Sequence, residues 1–272
     1  MKLPINNIKE LYNAIETRQS RRKYKSKPIG QSQIETLRET VESLEQEVSS
    51  VKIIIRPEGF ERIIKNIFGF YGLISGAWSY AVILADKTVE NYQVQAGYAG
   101  EALILKATSM EIDTCWIGGF YNSDKIKKEL ELPENHEIMS VISLGEAKAK
   151  KTISEKIMKK VTGSTKRKAL SELCNPTFDE DWPDWIKTAI KAARLAPSAV
   201  NRQPWSFKVN GDKLVLSAST EKEKGEVSPY LDCGIALLHL ELGARNAGQL
   251  VEIRELKPPE IAEIIPVEKG AD

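Results

Sequence analysis

The sequence predicts an α+β fold made of two similar halves, each with an antiparallel or mixed sheet surrounded by helices, related by a pseudo-two-fold axis. Three observations predict it: long runs with apolar residues at helical spacing, short β-branched runs between them, and one long helical pattern that occurs twice. At 272 residues the chain is long enough for one large domain or two intimately packed halves.

Ile8, Leu11, Tyr12 and Ile15 predict a first helix, and Ile34, Leu37, Val41 and Leu44 a second. Strands are expected at 51–55, 80–84 and 138–144, and again at 206–209, 214–217 and 251–256. Asn210-Gly211-Asp212 supplies an Asn-Gly turn that joins two of these as a hairpin. Long helical patterns run over 89–110 and 230–246 and resemble one another. Gly97 falls over Gly234, Leu103 over Leu240, Leu105 over Leu242 and Ala107 over Ala244. A duplication of this kind divides the chain into a first half, 1–164, and a second, 165–272, with the polar basic stretch "KKVTGSTKRKAL" at the junction.

Composition excludes several function classes. Thirty-nine basic against thirty-eight acidic residues give a formal charge of +1, so no global field recruits nucleic acid or a membrane surface. Cys115, Cys174 and Cys233 are isolated and odd in number, which argues for a reducing compartment rather than a disulfide framework. "MKLPINNIKE" has no apolar signal core, and no run approaches the roughly 18 apolar residues of a membrane span, so a soluble cytoplasmic protein is expected. His136 and His239 lie far apart without flanking ligand spacing and read as surface or packed histidines, with no metal site and no histidine-based triad.

Three fragments carry chemistry. In "IETRQSRRKYKSKP", Arg18, Arg21, Arg22, Lys23, Lys25 and Lys27 crowd ten positions; a helix C-terminus favours cations, but six exceed that need. Arg18, Ser20 and Arg22 alternate, so in an extended segment they share one side and can grip a phosphate. In "DTCWIGGF", Ile112, Cys115, Trp116 and Ile117 read as buried strand, while Gly118-Gly119 is either a turn or a place where the backbone closely approaches a flat ligand. "APSAVNRQPW" is either a polar capping loop or a binding loop, in which Ser198, Asn201 and Gln203 offer a hydroxyl and two carboxamides between the stiffening Pro197 and Pro204.

Together these fragments resemble the FMN-dependent nitroreductase family, in which Arg-x-Ser-x-Arg/Lys, Pro-Ser-x-x-Asn-x-Gln-Pro-Trp and Ile-Gly-Gly elements bind flavin. Family members are short chains that dimerise, with the phosphate on one subunit and the Pro-Ser loop on the other. Here that loop is delayed to residue 196, so the chain resembles the internally duplicated, fused pseudo-dimer branch, the putative TM nitroreductase type. The resemblance implies a nitroreductase-like fold with FMN as cofactor and NADH or NADPH as electron donor. It implies that Arg18, Gln19, Ser20 and Arg22 hold the phosphate and ribityl chain, with Arg167 and Lys168 completing that site. Pro197, Ser198, Ala199, Asn201 and Gln203 would line the isoalloxazine, and Gly118 and Gly119 would run beside its N5 edge. The second half has no Trp-Ile-Gly-Gly, so one FMN per chain is expected, and a monomer would suffice because the family dimer is fused.

The implied activity is ping-pong hydride transfer from NAD(P)H through the flavin to an electron-poor small molecule such as a nitroaromatic or quinone, with no catalytic side chain. Arg202 is either a donor near the flavin or a solvent-facing cation, and Tyr71, Trp78 and Phe120 are either pocket aromatics or packing residues. Two other readings stay open: an FMN-binding module without turnover, and a polyanion-binding protein using segment 18–27.

Overall fold

The computed structural model describes residues 1–4, 7–64, 74–132, 134–149, 166–219 and 227–268. The junction expected near 165 and Tyr71 lie outside or at the margin of the described residues. Helix α1 (Ile8–Thr17) is capped by the Asn7 side chain, which accepts the Glu10 backbone N–H, and it buries Leu11, Ala14 and Ile15. Helix α2 (Gln31–Glu47) buries Ile34, Leu37, Thr40, Val41 and Leu44, the stripe its sequence spacing predicts.

The first sheet is built from β1 (Val51–Arg56), β2 (Ser79–Asp86), β3 (Asp113–Ile117) and β4 (His136–Gly145), in the antiparallel order β1-β2-β4-β3. Strand β2 is buried on both faces, and its alternation sorts its side chains. Ala81, Ile83 and Ala85 enter the main core, whereas Tyr80, Val82 and Leu84 enter a second cluster. That cluster also holds Tyr24, Phe60 and Ile63 from the short α3 (Phe60–Ile63), and Ile126 from α5 (Ser123–Leu130).

The second sheet repeats the arrangement. Strands β5 (Trp205–Asn210), β6 (Lys213–Ala218), β7 (Val251–Glu255) and β8 (Glu260–Pro266) take the antiparallel order β5-β6-β8-β7. The second strand of each sheet carries a register shift against its fourth, between Ile83 and Leu84 in one and Leu216 and Ser217 in the other. Gly211, at φ +62°, closes the expected β5–β6 hairpin. The described sheets are antiparallel throughout, which settles the choice between antiparallel and mixed.

Between the sheets cross the two long helices α4 (Tyr92–Ser109) and α8 (Pro229–Asn246), joined by α7 (Asp184–Ala193) and α1; the one-turn α6 (Leu170–Leu173) lies against β5. Both long helices are apolar almost all round, as helices enclosed on every side must be. Their closest approach is at the two glycines that the internal repeat superimposes. A Cβ on Gly97 would lie 2.0 Å from the Leu231 carbonyl oxygen, and one on Gly234 would lie 1.9 Å from the Val94 carbonyl oxygen. The contact is reciprocal, glycine of each helix against the residue three positions before glycine of the other, which is the signature of an isologous two-fold interface within one chain.

Candidate active site at the junction of the halves

The loop after α7 has an unusual backbone. Val200, Asn201 and Gln203 take φ of +47°, +57° and +49°, a left-handed conformation that disfavours a β-branched residue such as Val200. Local bonds hold it there. Ser198 Oγ accepts the Gln203 backbone N–H at 2.9 Å, and Asp232, at the start of α8, accepts Ala199 N–H at 3.1 Å and Arg202 Nε at 2.7 Å. Burial pushes the Asp232 carboxyl up to about 6, against the opposing pull of Arg202 and the Ala199 N–H. Arg202 also donates to the Val227 carbonyl at 2.8 Å, so its guanidinium is a loop clamp and not a solvent-facing cation.

The two carboxamides of the loop bind residues 166–168. Gln203 Oε1 accepts the Lys168 N–H at 2.9 Å, Asn201 Nδ2 donates to the Lys166 carbonyl at 2.9 Å, and Arg167 Nη1 donates to Asn201 Oδ1 at 3.0 Å. Arg167 further donates to the Leu195 carbonyl, Lys168 Nζ to the Gln203 carbonyl, and Arg194 Nε to the Lys168 carbonyl. The structure thus brings Arg167 and Lys168 onto the Pro-Ser loop and makes Asn201 and Gln203 the braces between them. Pro197, Ser198 and Ala199 are half-buried beside these braces.

From the first half, residues 20–25 run as an extended segment stitched to its neighbours. Ser20 bridges Thr114 of β3, Ser75 N–H donates to the Arg22 carbonyl, and Lys148 N–H donates to the Lys23 carbonyl. Arg18, Ser20 and Arg22 are half-buried along it, whereas Gln19 is exposed and lines a separate polar cleft of about 540 Å³ with Glu10, Thr17 and Glu111. Arg18 reaches the second half: burial lowers the Arg167 guanidinium below its ordinary value, and the charges of Arg18 and Arg194 lower it further. Arg18, Arg167 and Arg194, all half-buried, therefore lie within electrostatic reach of one another.

Gly118 and Gly119 close β3 in a half-buried turn. The space a Cβ would need at Gly118 is taken by Val227 Cγ2, 2.2 Å away, so the second half supplies the close approach there. Trp78 and Phe120 are 41% and 40% exposed, so neither is a core residue.

Sequence reasoning missed Glu101 and its pairing with His239. Glu101 on α4 is fully buried, accepts Trp116 Nε1 at 2.7 Å, lies 3.1 Å from His239 Nε2 on α8, and has Arg18 Nε at 3.6 Å. Ionisable residues in the middle of two mostly apolar helices were the available signal. His239 is a packed histidine, as expected, but one with a buried carboxylate partner.

Two four-stranded antiparallel sheets of matching strand order, with two long helices crossing between them, define an α+β fold of two similar halves. Residues 10–244 match the family described as "Putative TM nitroreductase", and the chain belongs to that family. A Thermotoga maritima crystal structure described as a "putative nitroreductase" shares the fold across 94% of this chain and 93% of its own, with a TM-score of 0.57 and 21% identity. A curated Archaeoglobus fulgidus protein, "Putative NADH dehydrogenase/NAD(P)H nitroreductase", is 26% identical over 159 residues, covering 54% of this chain and 91% of its own length. An FMN-dependent nitroreductase structure from Clostridium difficile covers 51% of this chain and 88% of its own, at 21% identity and a TM-score of 0.41. Among the described residues no helix is long and apolar enough to cross a membrane.

Proposed function

We propose that the chain is an FMN-dependent oxidoreductase of the nitroreductase type, taking electrons from NADH or NADPH and passing them to an electron-poor small molecule such as a nitroaromatic or quinone. The observation that carries this reading is the convergence of Arg18 from the first half and Arg167 from the second beside the Pro-Ser loop. Buried cations in each other's field are relieved by an anion placed among them, and a phosphate is the anion whose oxygens match guanidinium donors. Arg18, Ser20, Arg22, Arg167 and Lys168 would hold that phosphate, Pro197, Ser198 and Ala199 would face the ring, and Gly118-Gly119 would flank it. Asn201 and Gln203 act one step behind, by fixing residues 166–168. FMN, when bound, supplies reversible two-electron chemistry between a nicotinamide donor and the acceptor. The protein's own part is to bind, orient and exclude water, with donor and acceptor occupying the site in turn.

The division into halves 1–164 and 165–272, one site per chain and a sufficient monomer belong to the same proposal. Its support is the reciprocal glycine contact and the curated relative, spanned almost whole by about half of this chain. A cytoplasmic location is proposed with it, in keeping with three buried free thiols. The polyanion reading is disfavoured because the basic run is largely committed internally: Lys25 and Lys27 both bond Glu146, holding its carboxyl below the usual range, and Arg21 lies 3.7 Å from Asp113. Titration of FMN against its fluorescence tests the proposal, with Arg18→Ala and Arg167→Ala each expected to weaken binding at least tenfold. Wild-type affinity in both variants would refute it, and steep salt-dependent binding of nucleic acid without flavin would restore the polyanion reading.

A further inference from the structure

We infer that Glu101, held in place by His239 and Trp116, positions Arg18 for a phosphate-bearing ligand and ties that position to the loop of the second half. The inference rests on the FMN reading above and adds two residues that do not touch the ligand. Glu101 receives three groups from three elements: Trp116 Nε1 from β3 at 2.7 Å, His239 Nε2 from α8 at 3.1 Å and Arg18 Nε from the segment after α1 at 3.6 Å. His239 Nδ1 faces the Ala192 carbonyl at 3.1 Å, which can only accept, so Nδ1 carries hydrogen. Nε2 faces Glu101 Oε1 at 3.1 Å, so the Ala192 carbonyl and Glu101 hold the two sides of the imidazole.

Arg18 is held by charge and not by a formed hydrogen bond. Its side chain is 8% exposed, its Nε is buried without a hydrogen-bond partner, and 3.6 Å is too long for one. A buried guanidinium beside Arg167 and Arg194 needs a countercharge to stay, and Glu101 is that countercharge. Ala192, which anchors His239, lies in the last turn of α7, three residues before Leu195, whose carbonyl accepts Arg167. Arg18 and Arg167 are therefore the two ends of one buried line: Arg18, Glu101, His239, the end of α7 and Arg167.

Glu101→Gln tests this because it keeps an acceptor for Trp116 and an amide donor for a neutral His239 while removing the charge that faces Arg18. The readout is the ratio of dissociation constants for FMN and riboflavin, which differ by the phosphate. We expect FMN affinity to fall about tenfold with riboflavin affinity unchanged, and Arg18→Ala to add little further loss in the double variant. His239→Gln, measured alongside, is expected to raise the ratio of the FMN to the riboflavin dissociation constant in the same direction. Thermal melts establish that both variants fold. An unchanged ratio, an equal loss of both flavins, or failure of both variants to fold would overturn the inference. Wild-type protein that binds neither flavin would instead refute the FMN reading itself, and this inference with it.

Discussion

Substituting alanine for Gly97 or Gly234 is expected to separate the two halves of the molecule along their shared helices. The new methyl would lie 2.0 Å from the Leu231 oxygen in one case and 1.9 Å from the Val94 oxygen in the other. Both obstacles are backbone atoms of the facing helix, with Ile235 N and Tyr98 N close behind, so no side chain can turn aside. Restoring ordinary contact requires the helices to recede by roughly 1.5 Å, at a crossing where close packing leaves no slack. Overpacking of this kind costs about 1–3 kcal/mol or more, partly offset by roughly 1 kcal/mol of better helix propensity for alanine. We expect each variant to lower the melting temperature by about 3–8 °C. One displacement relieves both clashes, so the double variant should lose much less than the sum of the two singles. Differential scanning calorimetry with Gly30→Ala as a control away from the crossing, where only the flexible Gln33 side chain is near, reads this directly. Single variants that melt with the wild type, or strictly additive losses, would refute the reciprocal crossing.

Asp232 sets a second expectation. Its folded carboxyl keeps its proton to about pH 6, against an ordinary value of 3.8, so the folded state binds more protons between those limits and stability falls as pH rises through that window. The effect is on the order of 3 kcal/mol, and denaturation midpoints from pH 4 to 7 should show it as a slope that Asp232→Asn removes. An identical slope in the variant would contradict it. Val200→Asn replaces a β-branched residue at φ +47° by one that tolerates this conformation, and a gain of about 1 kcal/mol is expected; a loss would mean that Val200 makes contacts worth more than its strain. Gln203→Ala removes the acceptor of the Lys168 N–H, so it should weaken FMN binding through the phosphate segment while leaving riboflavin binding near its wild-type value. Equal weakening of both would place Gln203 against the ring.

Most of the fold was legible because its signals are local. The apolar stripe of α2 and the β-branched runs of β1, β2 and β4 depend on spacing within one element. Helix α5 escaped notice because only Ile126 of its eight residues is buried, and β8 because Pro258 and Pro259 precede a run interrupted by Glu260 and Glu263. The repeat was visible as Gly97 over Gly234, but not that the two glycines meet, since that is a property of the crossing and not of either helix.

The site divides in the same way. The Pro-Ser loop and the Arg-x-Ser-x-Arg segment announce themselves by composition, yet the bonds of Asn201 and Gln203 to residues 166–168 could not be read from it, because they join segments 34 and 35 residues apart. Glu101 and His239 are 138 residues apart and carry no motif. What marks them is polarity in the wrong place, a fully buried carboxylate and imidazole in helices that are mostly apolar.

The measurement that bears most directly on the central claim is an absorbance spectrum of the purified chain after FMN addition and desalting, followed by anaerobic NADH and then NADPH. The account predicts one retained FMN per chain, bleached by at least one of the nucleotides and restored by an electron-poor acceptor. A colourless protein would contradict it outright, and a yellow protein that neither nucleotide bleaches would leave a flavin-binding module without reductase turnover.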